Sequence, residues 1–392
     1  MLNNNSLEGM KDHDDQGSDQ PHETNHNMDT INTEDMNQEQ VINDTDCSSI
    51  SDDELLDMDT DWSNHNDHHE DHEESLYQDQ HPRRYIQKFI LGNNRSEFYH
   101  PYDMVVDQHQ ELIFICDSGH HAIQVYDLST YKFLKSIDLA SDTPFYIDYD
   151  PIESAIVFGS NSHCLYKYSV FGKLIWKVGK YGDGNGEFSL PSGVYIDSKE
   201  KLIYLCDQDN HRIQVLNSHG EYVRQFGVYG RAPGQFNGPR NITASLDGQL
   251  IITDRNNHRV QIFTKNGQFV KTFGSYGCGH GQFNEPCSVL VEPKTGNIYV
   301  SDSFNDRIQV FSSNGDYIEC IEGGLDYPLG ISLNAKNGDL LVSEYSRCRV
   351  VILKDTKFES RMEEHFKRQM LYCVKNLNND IDIVSQILEK EE

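Results

Sequence analysis

The strongest constraint on the fold of this chain of 392 residues is an internal unit that occurs six times. Each unit is anchored by a proline, and the spacings between successive prolines are 43, 47, 48, 47 and 42 residues. A second anchor follows each proline after 15 or 16 residues, and it is acidic in all units but the second. Two anchors with one period indicate a repeated structural unit. The prolines are Pro101, Pro144, Pro191, Pro239, Pro286 and Pro328.

Each unit has the pattern of four short β-strands. Apolar runs such as Leu202-Ile-Tyr-Leu-Cys alternate with turns that carry glycine, asparagine or lysine. Four strands in about 45 residues are typical of one blade of a β-propeller. Residues 83–354 are therefore predicted to form an all-β, six-bladed propeller.

The two ends of the repeat region predict how the ring closes. The sixth unit stops after its third strand, Arg349-Val-Val-Ile-Leu, whereas an extra strand beginning at Tyr85 precedes the first proline. That extra strand matches the fourth strand of a complete unit, such as Tyr222-Val-Arg-Gln-Phe-Gly. We expect it to complete the last blade, which removes two open sheet edges.

Segments of different composition flank the repeats. Residues 1–82 hold 24 acidic residues and one basic residue, which accounts for −23 of the net charge of −30. With few aromatic residues this segment is predicted to be a disordered, acidic tail. Its eight histidines are read as biased composition, with weak metal binding as the alternative. Residues 355–392 carry apolar residues every three or four positions and predict an amphipathic helix, which either docks in cis or dimerises.

Composition excludes several classes of protein. The nine cysteines form no Cys-x-x-Cys pair, so neither a disulfide scaffold nor a zinc ribbon is indicated. The chain shows no signal peptide and no apolar run that reaches a membrane span, so we expect a cytoplasmic protein with no membrane contact. A net charge of −30 argues against generic nucleic-acid binding.

The sequence of the third, fourth and fifth units resembles the NHL repeat. The match rests on Asp207-Gln-Asp-Asn-His-Arg-Ile-Gln-Val, Asp254-Arg-Asn-Asn-His-Arg-Val-Gln-Ile and Asp302-Ser-Phe-Asn-Asp-Arg-Ile-Gln-Val. Members of this family bind protein or RNA, and many are joined to a RING and a B-box in TRIM-NHL ubiquitin ligases. A related branch is a metal-dependent amidating lyase. This chain has no cysteine and histidine array of RING or B-box spacing, so the resemblance implies recruitment of substrates to a ligase and not ligase catalysis.

Propeller topology predicts one candidate binding face. The turn before the first strand and the turn between the second and third strands emerge at the same end of each blade. The residues beside the two anchors should therefore share one surface, which is rich in aromatic and arginine side chains suited to protein or RNA contacts. The candidates are Tyr102, Phe145, Tyr146, Arg240 and Asn241, with His120, Gln208, Arg255, Phe304, Tyr345 and Arg347.

Residues that recur in several units are assigned structural roles. The pairs Asp207 with Arg212, Asp254 with Arg259 and Asp302 with Arg307 are expected to tie turns together. Tyr181, Tyr229 and Tyr276 are predicted to pack between blades, with a ligand platform as the alternative. His121, His211 and His258 share one position and could approach a common metal, but the series is interrupted by Cys164, Asp306 and Cys348.

These features favour a non-catalytic interaction scaffold. We find no catalytic motif and expect no cofactor and no resident metal ion. A protein partner is favoured over single-stranded RNA, because the repeat region has a net charge of −4 and the acidic tail could compete for any basic face. Single-stranded RNA binding remains the alternative, and a lyase-like metal enzyme is the third hypothesis.

Overall fold

Every repeat forms one four-stranded antiparallel sheet, and the described part of the chain holds six of them. The computed structural model describes residues 84–92, 97–322 and 324–376. The predicted tail of residues 1–82 lies outside these residues. The innermost strands of successive sheets contact one another and the last contacts the first, so the sheets form a closed ring. The predicted six-bladed β-propeller is confirmed.

Strands of the same rank have similar lengths in all blades. The innermost strands are β2 (Pro101–Asp107), β6 (Pro144–Asp150), β10 (Pro191–Asp197), β14 (Pro239–Ala244), β18 (Pro286–Val291) and β22 (Pro328–Leu333). The second strands are β3 (Leu112–Asp117), β7 (Ala155–Ser160), β11 (Leu202–Asp207), β15 (Leu250–Asp254), β19 (Ile298–Asp302) and β23 (Leu340–Glu344).

The outer half of each blade follows the same order. The third strands are β4 (Ala122–Asp127), β8 (Leu165–Ser169), β12 (Arg212–Asn217), β16 (Arg259–Phe263), β20 (Arg307–Phe311) and β24 (Arg349–Asp355). The outermost strands are β5 (Phe133–Asp138), β9 (Leu174–Val178), β13 (Tyr222–Phe226), β17 (Phe269–Phe273), β21 (Tyr317–Ile321) and β1 (Tyr85–Leu91).

Burial decreases from the middle of each blade outward. Strands β15, β19 and β23 are buried along their whole length, because both faces of the sheet pack against neighbouring blades. The outermost strands β13 and β17 alternate exposed and half-buried residues. The core therefore lies in layers between blades, for example around Phe236 and Phe263 between the third and fourth. This explains why the second strands read as continuous apolar runs.

The first strand closes the ring as predicted. Strand β1 pairs antiparallel with β24, with Tyr85 opposite Asp355 and Leu91 opposite Val350. Next to β1, the buried guanidinium of Arg84 donates to Asp355 at 3.2 Å, to the Tyr299 hydroxyl at 2.5 Å and to Glu319. The closure thus combines strand pairing with a buried network of polar groups.

A helix follows the last blade. Helix α1 (Phe358–Asn376) begins with Phe358 and Met362 buried against the propeller. Arg361 on the same turn pairs with Glu292 of the fifth blade at 3.1 Å and with Asp355. Further along, Phe366 and Met370 are 59% and 55% exposed. The start of the helix therefore docks in cis, and the rest of the predicted apolar stripe, from residue 377, lies outside the described residues.

Two further sequence features concern membranes and thiols. In the part of the chain that the structure describes, no helix combines the length and the apolar character needed to cross a bilayer. The cysteines in that part are free thiols, and burial raises the pKa of Cys116 and Cys206 well above the usual value. These two side chains therefore behave as small apolar groups.

Candidate functional site

The strand register brings the two anchors of each repeat together. In every blade the proline that begins the innermost strand is paired with the residue that ends the second strand, as Pro239 is with Asp254. The residues that follow the two anchors therefore lie at the same end of the blade. We call these twelve residues the mouth ring: Tyr102 and Ser118, Phe145 and Asn161, Ser192 and Gln208, Arg240 and Arg255, Cys287 and Ser303, Leu329 and Tyr345.

Charge in the mouth ring is confined to the fourth blade. Arg240 and Arg255 are its two charged members, and the other ten are aromatic, aliphatic, thiol, hydroxyl or amide side chains. Several of the uncharged members have a plain structural role. Ser118, Ser192 and Ser303 each donate a hydroxyl hydrogen bond to the anchor-proline carbonyl of the next blade. The arginine pair departs from this pattern, so blade packing alone does not explain it.

The recurring aspartate and arginine pairs hold turns together, as predicted. In the fourth blade Arg259 donates from Nε to Asp254 at 2.7 Å and from its two terminal nitrogens to the carbonyls of Arg231, Ala232 and Gln235. The segment that links two blades is thereby fixed to the turn. Equivalent bonds join Asp207 to Arg212 and Asp302 to Arg307, also at 2.7 Å. These arginines are almost fully occupied by the fold.

Seven of the eleven candidate residues are buried, which corrects the expectation that all of them share an exposed surface. The innermost strands converge around the ring axis, so large side chains at their starts cover one another. The buried candidates are Tyr102, Phe145, Tyr146, Gln208, Arg240, Asn241 and Tyr345. A partner therefore meets a smaller surface than the sequence predicts.

Arg240 organises this buried group. It is 1% exposed and donates from Nη1 to Gln208 Oε1 at 2.6 Å, from Nε to the Tyr146 hydroxyl at 3.3 Å and from Nη2 to the Tyr102 hydroxyl. Its guanidinium carbon also lies 5.4 Å from the Tyr102 ring centroid and 5.7 Å from that of Tyr146. Phe145 and Tyr345 pack against Tyr102 at 5.1 and 6.0 Å. The result is an aromatic layer with a cation at its centre.

The remaining candidates are accessible, and each basic one is paired with a carboxylate. His120 Nδ1 lies 2.8 Å from Asp117, and Arg347 Nε lies 2.7 Å from Asp326. The side chain of Arg255 is 12% exposed, and its Nη2 lies 2.7 Å from Glu285. Phe304 is 49% exposed and packs edge-on against Tyr327 at 5.1 Å. Asn241, in contrast, donates to Ser288 inside the ring at 3.0 Å.

Three repeated tyrosines are exposed, which contradicts the prediction that they pack between blades. Tyr181, Tyr229 and Tyr276 are 71%, 66% and 67% exposed. Each contacts a histidine of the preceding blade at 4.7 to 4.9 Å between ring centroids. The histidines are His163, His211 and His258. The backbone of each tyrosine pairs with a buried phenylalanine of the same linker, so the repeat reflects the geometry of the linking turn while the tyrosine ring stays in solvent.

The repeated histidines support turns. His163, His211 and His258 have φ values of 52° to 56°, and their Nδ1 atoms accept backbone N–H bonds of 3.1 Å from the following linker. His121 Nδ1 instead lies 3.0 Å from Thr143 Oγ1. Burial lowers the pKa of His211 and His258, which favours neutral rings that can accept. The second blade continues the histidine series at His163, not Cys164, because its turn is one residue shorter.

The described residues offer no metal centre. Within them, no group of three or more histidine, cysteine, aspartate or glutamate side chains is placed to hold one ion. The histidines that a lyase-like site would need are distributed over successive blades, with one ring nitrogen of each engaged in the fold. The geometry thus gives the lyase hypothesis no ligand set.

Two carboxylates on the innermost strands have unusual titration behaviour. Asp103 is buried and accepts the Ile147 backbone N–H at 3.2 Å, and Asp148 accepts the Ile196 N–H at 2.7 Å. Each carboxylate therefore joins its blade to the next. Desolvation raises the pKa of Asp103 to about 8, with a smaller contribution from the negative charge of Asp148. Desolvation also raises the pKa of Asp148 to about 7.

We expect Asp103 to make the fold less stable as pH rises. A carboxyl whose pKa is higher in the folded than in the unfolded protein binds more protons in the folded state. Its contribution to the free energy of unfolding is therefore complete below about pH 4 and declines as the pH rises to about 8. The decline approaches about 1.4 kcal/mol per pH unit. Urea unfolding of the wild type and Asp103→Asn between pH 5 and 8 measures it, and the variant should gain relative stability as pH rises.

Asp127→Asn is the control for this measurement. Hydrogen bonds from Thr130 and Ser129 lower the pKa of Asp127 to about 2, so its stabilising effect is lost only in acid and the slope between pH 5 and 8 should not change. Equal slopes for the wild type and Asp103→Asn would contradict the prediction.

Two family models match the chain inside the ring. A model described as a 6-bladed beta-propeller matches residues 235–329, and the NHL repeat model matches residues 188–216. The second match covers the linker, innermost strand and turn of the third blade, where the Asp207 and Arg212 pair lies.

Curated relatives share parts of the ring. Protein brain tumor of Drosophila melanogaster is 33% identical over 78 residues, which are 20% of this chain and 7% of that protein. RING finger protein nhl-1 of Caenorhabditis elegans is 37% identical over 67 residues, 17% of this chain and 7% of that protein. NHL repeat-containing protein 3 of Mus musculus is 27% identical over 164 residues, 38% and 47% of the two chains. The chain thus spans less than half of any of these relatives.

Solved structures share the fold at low identity. A streptogramin B lyase has a TM-score of 0.53 and 13% identity, and the match covers 70% of this chain and 99% of the lyase. A Bacteroides thetaiotaomicron protein of unknown function has a TM-score of 0.53 and 15% identity, with 66% and 70% covered. At such identity these likenesses show the propeller architecture alone. The NHL repeat model thus matches one stretch of the third blade, and the six sheets have the predicted strand order of a six-bladed β-propeller.

Proposed function

We propose that this protein is a non-catalytic scaffold that binds a protein partner at the end of the propeller formed by the mouth ring. The observation that carries the proposal is the exposed ring of Phe304, which packs edge-on against Tyr327. Arg347 pairs with Asp326, the residue before Tyr327, and the partly exposed Arg255 pairs with Glu285. Aromatic and arginine side chains are enriched in the energetic centres of protein interfaces. These residues also differ from their counterparts in other blades, so the repeat itself does not require them.

The charge of this surface favours protein over RNA. RNA binding depends on unpaired basic groups that neutralise successive phosphates. Here Asp326 and Glu285 already pair with the accessible arginines, and Asp117 lies 2.8 Å from His120. A protein partner, in contrast to an RNA strand, does not require a row of unpaired cations.

The names of the relatives suggest a setting for the scaffold. One relative is named as a RING finger protein, and RING domains belong to ubiquitin ligases. We propose that this chain recruits substrates to such a ligase in the cytoplasm, with the ring as the recruiting module. Catalysis is not part of the proposal, because the lyase neighbour shares only the fold and the described residues contain no metal-binding cluster.

Phe304→Ala should reduce partner binding by about tenfold or more, since truncation of an interface hot spot removes at least 1 to 2 kcal/mol. Phe171→Ala is the matched control, because Phe171 is 82% exposed in the turn between β8 and β9 at the opposite end of the blade. Proximity labelling with the full chain, followed by quantitative mass spectrometry, compares the two variants. Proteins enriched by the wild type and Phe171→Ala should be lost with Phe304→Ala, and equal enrichment in all three would contradict the proposal.

Single-stranded RNA is the second candidate, and the exposed tyrosines favour it. Tyr181, Tyr229 and Tyr276 present three rings at regular sequence intervals, and unpaired bases stack on such rings. Ultraviolet crosslinking of the full chain to a random single-stranded RNA pool distinguishes the candidates. Salt-sensitive crosslinking that Tyr229→Ala weakens, together with unchanged protein labelling in Phe304→Ala, would replace the protein proposal with the RNA one.

A further inference from the structure

The positive charge of the mouth ring lies in the fourth blade, at two positions that are uncharged in the other blades. Arg240 and Arg255 are adjacent because their anchors Pro239 and Asp254 are paired. Burial and the like charge of Arg240 both act to lower the pKa of Arg255, although Cys287, Tyr327 and Glu285 raise it overall. Arg255 is thus a largely buried cation, and such a charge needs a carboxylate nearby.

One carboxylate serves Arg255 among the described residues. The Glu285 carboxylate forms an ion pair with the guanidinium, with Oε2 2.7 Å from Nη2. The Nε atom of Arg255 is shielded from water and has no hydrogen-bond partner in the described part of the chain. A guanidinium offers five N–H donors in a planar fork, so this pairing leaves donors that a second carboxylate could satisfy.

The wall beside Arg255 is aromatic. The Phe304 N–H donates to the Asn284 carbonyl at 3.3 Å, and the next residue, Glu285, is the carboxylate that pairs with Arg255. Burial raises the pKa of Tyr327, and the charges of Arg255 and Arg240 act to lower it. Phe304 packs edge-on against Tyr327 and stays 49% exposed. A partly exposed arginine in the same region as an exposed aromatic ring accommodates an acidic side chain whose neighbouring residue is apolar.

We propose that the protein partner inserts an acidic side chain, aspartate or glutamate, against Arg255, with Arg240 supplying additional positive potential from below. This inference rests on the proposed protein-binding function and specifies the chemistry of the partner. A peptide carboxylate suits this place better than a nucleic acid backbone, because the positive charge is confined to one blade whereas phosphates follow one another along a strand.

A random peptide library displayed on phage and selected against the full chain tests the inference. Selected peptides should carry aspartate or glutamate at one fixed position, and changing that residue to its amide should weaken binding to the wild type by at least tenfold. Arg255→Gln should weaken the acidic peptide to the same extent and remove its preference over the amide peptide. Lys173→Gln, which removes an exposed positive charge in the turn between β8 and β9, is the control and should bind like the wild type.

Glu285→Gln provides a test in the opposite direction. Removal of the competing carboxylate should strengthen binding of the acidic peptide several-fold, a result that misfolding cannot produce. Selected peptides without a fixed acidic position, or equal binding to the wild type, Arg255→Gln and Glu285→Gln, would overturn the inference. In that case, loss of proximity labelling with Phe304→Ala would still support protein binding in general. The two proposals can therefore fail separately.

Discussion

Removal of strand β1 will lower the melting temperature of the propeller by roughly 10 °C or more. The deletion exposes the edge of β24, removes the buried side chains of Tyr85 and Leu91, and removes Arg84 from its bonds with Asp355 and Tyr299. Burial of each apolar side chain contributes about 2 kcal/mol, and breaking a buried ion pair costs about 3 to 5 kcal/mol. Differential scanning calorimetry of chains 83–392 and 92–392 measures the difference.

The same deletion has an internal control. A synthetic peptide of residues 83–91 should bind the shortened chain and raise its melting temperature, because it restores the pairing of Tyr85 with Asp355 and Leu91 with Val350. The shortened chain should also associate through the open edge, which gel filtration detects. A melting temperature that is equal in both chains would show that β1 does not stabilise the ring.

Arg259→Met should destabilise the protein by about 3 to 5 kcal/mol, the second large effect we expect. The substitution leaves Asp254 buried without its cationic partner and frees the carbonyls of Arg231, Ala232 and Gln235 that the guanidinium binds. Methionine matches the length of the side chain, so lost volume contributes little. The midpoint of urea unfolding gives the change in free energy.

Arg347→Met is the comparison, since Arg347 also pairs with a carboxylate but is 46% exposed. Its loss should cost no more than about 1 kcal/mol, because exposed ion pairs are weak. The double variant Asp254→Asn with Arg259→Met should recover part of the loss by removing the unpaired charge. Equal destabilisation by Arg259→Met and Arg347→Met would contradict the role of Arg259 in holding the turn and the linking segment together.

The sequence could predict the blades and the closure because those depend on periodic apolar runs. The pairing of β1 with β24 follows from one missing strand in the sixth unit and one extra strand before the first. The bonds that hold the turns follow from residues such as Asp254 and Arg259, which recur at fixed spacing. Because apolar runs and paired residues recur in several repeats, a comparison of the six repeats separates them from differences found in single repeats. A resemblance to a known repeat strengthens the same prediction.

Exposure of individual side chains could not be predicted in this way. Tyr102 and Arg240 lie where turns emerge, yet neighbouring inner strands cover them. Tyr229 has counterparts in two other repeats, as a core residue would, yet its ring is exposed to solvent in the linking turn. Whether a ring is covered depends on contacts between blades, which a one-dimensional period does not contain. The position of His163 could have been found by counting back from the apolar strand at Leu165.

The closure by β1 also constrains how the protein is made. Arg84 and Asp355 are 271 residues apart in the chain, so the first strand of the propeller to leave the ribosome pairs with the last. Blades one to five can fold during synthesis from their own residues, but the sixth blade must wait until β24 has been made. Contacts of such long separation slow folding. During translation β1 is thus an unpaired strand, prone to wrong pairing, until the ring can close.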